Sequence, residues 1–218
     1  MTFERIRRQI PYEEFDYQML LHCLKDYARP RDKIRALLAS GAIIRVKKGL
    51  YVFGGEYSRE PYSRELLANL IYGPSYVSLE YALSYYGMIP ERAETITSVT
   101  SGKNRAFSTP VGRFTYWAVP LDYYRTGIDI VTVGEKRSCL IGTREKALAD
   151  KVYQERGLPI TRAGEFDAYL IEHLRMDAES VSGLDVRRME EIASHSRAQR
   201  VGLLAQFLRR KKRRRNLR

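Results

Sequence analysis

Histidine is scarce in this chain. The three present, His22, His173 and His195, are isolated and form no HExxH or paired metal-ligand spacing. The two cysteines, Cys23 and Cys139, lie far apart, match no zinc pattern and stand in apolar surroundings, the setting of plain buried thiols. No run approaches the roughly 18 consecutive apolar residues of a membrane span, and the start, MTFERIRRQI, lacks the apolar core of a signal peptide. The phosphate-cradling GxxxxGK[ST], the dinucleotide GxGxxG and the hydrolase GxSxG are missing too. From these absences we expect no catalytic residue, no metal, no cofactor and no membrane contact, in a cytoplasmic protein.

What is present is segregated charge. Of 38 basic and 26 acidic residues, positions 1–56 hold 11 and 7, positions 57–208 hold 19 of each, and the last ten, RRKKRRRNLR, hold eight basic and no acidic residue. Two basic ends flank a neutral middle, which suggests a defined binding module and an electrostatic tail. With 44 % hydrophobic residues and a length of 218, two modest cores are possible.

In residues 1–56 a short helix is expected over 2–9. A second is expected from Pro11 to about Tyr27, with Glu13, Glu14 and Asp16 near its positive end. A third starts at Pro30, turns Ile34, Leu37 and Leu38 inward and stops at Gly41. The stretch GAIIRVKKGLYVF then reads as a hairpin turning at Gly49. Helices, a basic helix and a basic-tipped hairpin are the order of a winged helix-turn-helix, in which the last helix enters the major groove and the wing lies along the backbone. Arg29, Arg31, Lys33 and Arg35 would face duplex DNA from the helix. Arg45, Lys47 and Lys48 would face it from the wing. Most of these cations would neutralise phosphates, while Arg31, Asp32 and Arg35 are placed to touch bases.

Residues 56–61 read as a linker. Beyond them we expect helices at 62–72 and from a Ser78 cap to Tyr86. Strands follow near 94–100, 105–109, 112–119, 128–133 and 137–141, with turns at 109–112 and 133–136. A Thr143-capped helix and three further helices near 163–174, 184–195 and 197–212 complete the pattern. The fold class is therefore α+β: an N-terminal winged helix (1–56), a mixed domain with a small, mostly antiparallel sheet (57–208), and a basic tail (209–218) that either extends the last helix or stays unordered. Glu80 and Asp150, each inside a largely apolar helix, are the acids to inspect. A partly buried acid paired with a lysine or arginine is the expected role of both, with a general base as the alternative, and Asp150 with Arg144, Lys146 or Lys151 nearby reads as helix-surface pairing.

Three segments, IIRVKKGLYVF, SYVSLEYALSYYGMIPERAETITSVTSGKNRAFSTPVGRFTYWAVP and GTREKALADKVY, resemble in that order the AbiEi family of antitoxins from bacterial abortive-infection systems. The matching positions include Ser78, Glu80, Ala82 and Leu83, then Arg144, Glu145, Lys146, Ala147, Leu148 and Asp150. The resemblance implies a winged helix that represses its own operon by binding promoter repeats. It also implies a second domain that counteracts a nucleotidyltransferase-like toxin without catalytic residues of its own. A stand-alone regulator and a nucleic-acid-processing enzyme remain the alternatives, and the tail could add contacts to nucleic acid.

Overall fold

The structure is a computed structural model that describes residues 3–134, 137–155 and 157–216; the turn expected at 133–136 lies partly outside the described residues. It is an α+β fold with two sheets. The first unit runs α1 (Phe3–Gln9), β1 (Glu14–Asp16), α2 (Tyr17–Cys23), α3 (Pro30–Ala39), β2 (Ile43–Lys47) and β3 (Leu50–Phe53). Its sheet is antiparallel in the order β1-β3-β2.

The helix expected from Pro11 is wrong in its first half. Phe15 pairs with Tyr51 across strands and is buried, and Asp16 caps α2 by accepting from the Met19 amide at 2.8 Å. Glu13 and Glu14 are also buried and do not stand at a helix end in water. Glu13 accepts from the Arg7 guanidinium, which lies 4.2 Å over the Phe53 ring, and from the Arg59 amide at 3.2 Å. Burial pulls the Arg7 pKa below its ordinary value, and Glu13 opposes that pull.

Both faces of this small sheet are covered. Ile43, Tyr51, Phe53 and Phe15 pack against Ile6, Leu20, Ile34 and Leu37 of the helices. Val46, Leu50 and Val52, on the other side, belong to the core of the second unit. The division at residue 56 is thus a change in sequence character and not a gap in packing. Residues 56–61, expected to be a linker, are held by the Arg7 Nε bond to the Tyr57 carbonyl at 3.0 Å and by the Arg59 amide. Arg137, just before β9, binds Glu14 and Glu60, and Glu14 also accepts the Ser63 amide.

The second unit runs α4 (Arg64–Ile71), β4 (Ser75–Val77), α5 (Leu79–Tyr85), β5 (Ile96–Thr100), β6 (Arg105–Thr109), β7 (Gly112–Ala118), α6 (Leu121–Tyr124), β8 (Ile128–Thr132), β9 (Ser138–Gly142) and α7 (Arg144–Gln154). It continues through α8 (Phe166–Ala168), set between a 3-10 and a π turn, to α9 (Ala178–Ser182), α10 (Val186–Ser194) and α11 (Gln199–Asn216). Its six strands lie in the order β6-β7-β5-β4-β9-β8. The sheet is mixed: β4–β9 and β5–β7 are parallel, and the other three pairs are antiparallel. The expectation of a mostly antiparallel sheet missed β4, a three-residue strand at its centre, too short to show alternation.

Register places Tyr76, Val99 and Trp117 on one face of this sheet and Val77, Ser98 and Tyr116 on the other. The Tyr116 hydroxyl donates to the Ala68 carbonyl of α4 at 2.7 Å, and the Tyr76 hydroxyl donates to Asp150 of α7 at 2.9 Å. The two helices therefore cover opposite faces.

Candidate nucleic-acid interface

Pro30 occupies the first position of α3, where its fixed φ suits a helix and its missing N–H leaves nothing unsatisfied. Ile34 and Leu37 anchor the helix in the core, and Gly41 turns the chain out with φ +72°. This leaves Arg31, Asp32 and Arg35 in water, with Arg35 loosely paired to Asp32 at 4.0 Å. Arg29 is exposed at the N-cap position. Together with Arg31 and Asp32 it borders a cleft of 460 Å³ that Tyr17 and Leu21 help to line. Lys33 is half-buried, its ammonium 5.9 Å from the Tyr27 ring centroid.

α3 packs on β2, so the helix that carries Arg31 and Arg35 neighbours the strand that carries Arg45. Arg45 is exposed. Lys48 is exposed at the hairpin tip, where Gly49 takes φ +88° and its carbonyl accepts the Tyr17 amide at 3.0 Å. The tip is therefore tied to the start of α2.

Lys47 is the exception. A bulge between Arg45 and Lys47 shifts the register, and the Lys47 ammonium donates to the Ile71 carbonyl at the end of α4. A cation at a helix C-terminus offsets the negative end of its dipole. The sequence assigned Lys47 to the outward face; the structure turns it into the joint between the two units. With Lys33 half-buried and Lys47 turned to α4, five of the seven expected cations are exposed: Arg29, Arg31, Arg35, Arg45 and Lys48.

The positions of the second domain fare differently. Ala82 and Leu83 are core residues. Ser78 stands at the N-cap of α5 but makes no cap bond; its hydroxyl donates to Asp150 Oδ2 at 2.6 Å. Asp150 is fully buried, against the expectation of a surface pair. Lys146, one turn earlier, places Nζ 3.3 Å from Asp150 Oδ1, donates to the Tyr123 carbonyl at 2.7 Å and lies 3.1 Å from the Tyr123 ring centroid. Burial lowers the Lys146 pKa and the Asp150 charge opposes this; burial, then Asp150, pushes the Tyr76 phenol well above 10.0. The lysine and the carboxylate, enclosed by aromatic rings, balance each other's charge, and the hydrogen bonds from Tyr76 and Ser78 to Asp150 Oδ2 hold α7 to β4. The Ser78 hydroxyl spends its proton on Asp150 and offers no free nucleophile-base pair to solvent.

Glu80 reaches the Lys151 ammonium at 3.0 Å, a half-exposed pair of the kind expected. Arg144 is exposed, 5.8 Å from the Tyr86 ring centroid. Glu145 is buried, accepting the Asp185 amide at 2.8 Å with Arg188 3.7 Å away. Cys23 and Cys139 are buried free thiols. Among the described residues no group of three His, Cys, Asp or Glu could hold a metal ion, and no helix is long and apolar enough to cross a membrane.

No protein-family model and no curated protein matches the chain.

Proposed function

We propose that this protein is a winged-helix DNA-binding autorepressor that acts as an antitoxin against a nucleotidyltransferase-like toxin. The observation that carries the DNA-binding half is the exposure of Arg29, Arg31, Arg35, Arg45 and Lys48 on a helix and an adjoining hairpin. The order helix, strand, helix, helix, hairpin supports the reading, because it presents the third helix with a flanking ribbon, the shape that suits a major groove and its border. Arg31 and Arg35 are the groups for base edges; Arg29, Arg45 and Lys48 supply phosphate contacts. The antitoxin half rests on the resemblance of the three quoted segments. It asks for no catalytic group, and the enclosed Lys146–Asp150 pair agrees with a structural use of that region's charges.

The test uses the full chain, because the hairpin shares its core with the second unit. Wild type should bind duplex from its own upstream region, with log K falling against log salt at a slope at least as steep as about −3, for the three phosphates that Arg29, Arg45 and Lys48 neutralise. The double variant Arg31→Ala, Arg35→Ala should weaken that affinity at least tenfold, at about 1–3 kcal/mol for each base-reading arginine removed. Equal binding of upstream and unrelated duplex by the wild type, at every salt concentration, would remove the repressor reading. Co-expression with a neighbouring nucleotidyltransferase tests the second half. Growth that is not rescued, with DNA binding intact, leaves a stand-alone regulator.

A further inference from the structure

α11 is built in two halves. In the first, Val201, Leu204, Phe207 and Leu208 are buried against the body, and Arg200 Nη1 donates to the Glu155 carbonyl of the α7 C-cap at 2.5 Å. In the second, every position from Arg209 to Arg215 is a cation, and the helix continues through them to Asn216. Arg209 lies 3.6 Å from Glu190, and Lys211 lies 2.8 Å from Asp167. Arg210, Lys212, Arg213 and Arg214 are exposed and make no ion pair among the described residues.

Positions 210, 213 and 214 stand at i, i+3 and i+4, a spacing at which like charges repel. A ladder of anions would relieve that repulsion. A membrane surface is a poor candidate, because a helix that lies in an interface needs a free apolar face, and the apolar face of α11 is used by the body. Arginine forks matched to phosphates favour a nucleic-acid backbone. Every side chain between Arg209 and Arg214 is a cation, and the phosphate contacts such a run makes carry no sequence information.

The location matters as much as the charge. α11 packs on α7, which covers the Tyr76 face of the six-stranded sheet. The first unit is joined to α4, on the Tyr116 face, through Lys47 at Ile71 and Glu14 at Ser63. The α3 cations and the α11 cations are thus attached to opposite sides of the sheet.

We propose that the exposed cations of α11 form a second, sequence-independent nucleic-acid site, which grips the phosphate backbone and lets one chain hold two nucleic-acid segments at once. The α11 site goes beyond the promoter-binding reading and stands without it; only the holding of two segments at once rests on that reading. The test compares full-length wild type with a variant in which Arg210, Lys212, Arg213 and Arg214 are all changed to Gln. The four residues are exposed, so an unchanged thermal midpoint is expected and certifies the fold. Affinity for an unrelated duplex, and for single-stranded RNA of equal length, is measured over a salt series. The slope of log K against log salt should become shallower by about two to four, at about 0.9 for each duplex phosphate no longer neutralised and about 0.7 on a single strand. A shallower slope on duplex alone names DNA as the source of the phosphates, and on RNA alone names RNA; either supports the site. The Arg31→Ala, Arg35→Ala variant separates the two readings, because it should lose preference for upstream DNA while its slope on the unrelated duplex keeps the α11 share. Wild type should also bring a labelled second duplex onto an immobilised first, and the four-Gln variant should not. Unchanged slopes on both polymers overturn the proposal and leave the cations as the rim of the neighbouring 370 Å³ groove, walled by Val181, Leu184 and Val186, for an acidic protein partner. A shallower slope without duplex bridging overturns the two-segment part.

Discussion

The α3 face and the interior of α7 use the same kinds of side chain under opposite conditions. On α3, Arg31 and Arg35 stand in water with one loose partner, Asp32. Inside α7, Lys146 is 0 % exposed and Asp150 1 %, and each would be an uncompensated buried charge without the other. The first arrangement contributes almost nothing to stability and leaves charge available to a ligand. The second is closed to ligands, and the fold depends on its being complete. Charge count alone does not separate the two. The environment that the fold builds around each residue does.

The contrast breaks most sharply at Lys146. Lys146→Met should cost about 3–5 kcal/mol in denaturant unfolding, because Asp150 is left charged and enclosed. Adding Asp150→Asn should recover at least half of that loss, since the amide still accepts from Ser78 and carries no charge. A small single-variant effect would place the pair on the same footing as the α3 cations. Next in size is the joint between the units. Glu14→Ala leaves the Arg137 guanidinium with Glu60 alone and strands the Ser63 amide, and should cost about 1–3 kcal/mol, within one cooperative transition. Two separate transitions would show that the units unfold independently. The smallest and most discriminating comparison is between neighbours. Lys48→Ala should change stability by no more than about 0.5 kcal/mol and make the DNA salt slope shallower by about one. Lys47→Ala should cost about 1 kcal/mol of stability, by removing the bond to Ile71, and leave the slope alone. The reverse pattern would mean that Lys47 belongs to the outward face after all.

Much of the architecture was legible because its signals are local. Pro30, the apolar spacing of Ile34 and Leu37, and Gly41 bound α3 to within a residue or two. The hairpin and the strands at 105–109 and 112–118 followed from β-branched and aromatic runs with turn residues between them. What failed was non-local. Glu13 and Glu14 look like a helix N-terminus until Arg7 from the preceding helix, and Arg59 and Arg137 from far along the chain, arrive to bury them. β4 has three residues and owes its existence to β5 on one side and β9 on the other. Of the expected DNA-facing cations, Lys47 drops out for the same reason. Alternation marks it as a strand residue, but only the bulge and the end of α4 determine where its ammonium goes. A positive run at a turn does not say which of its members the rest of the chain will claim.

The small sheet of the first unit has no wet side. Val46, Leu50 and Val52 belong to the core of the larger body, and Ile43, Tyr51 and Phe53 on the opposite face pack on the helices. Under the proposed function, a DNA-reading face mounted in this way has no swivel. Two copies standing on neighbouring repeats could not take up slack by stretching a tether. The girth of the bodies would dictate how many base pairs must separate the repeats, and inserting half a helical turn between them should defeat paired occupancy.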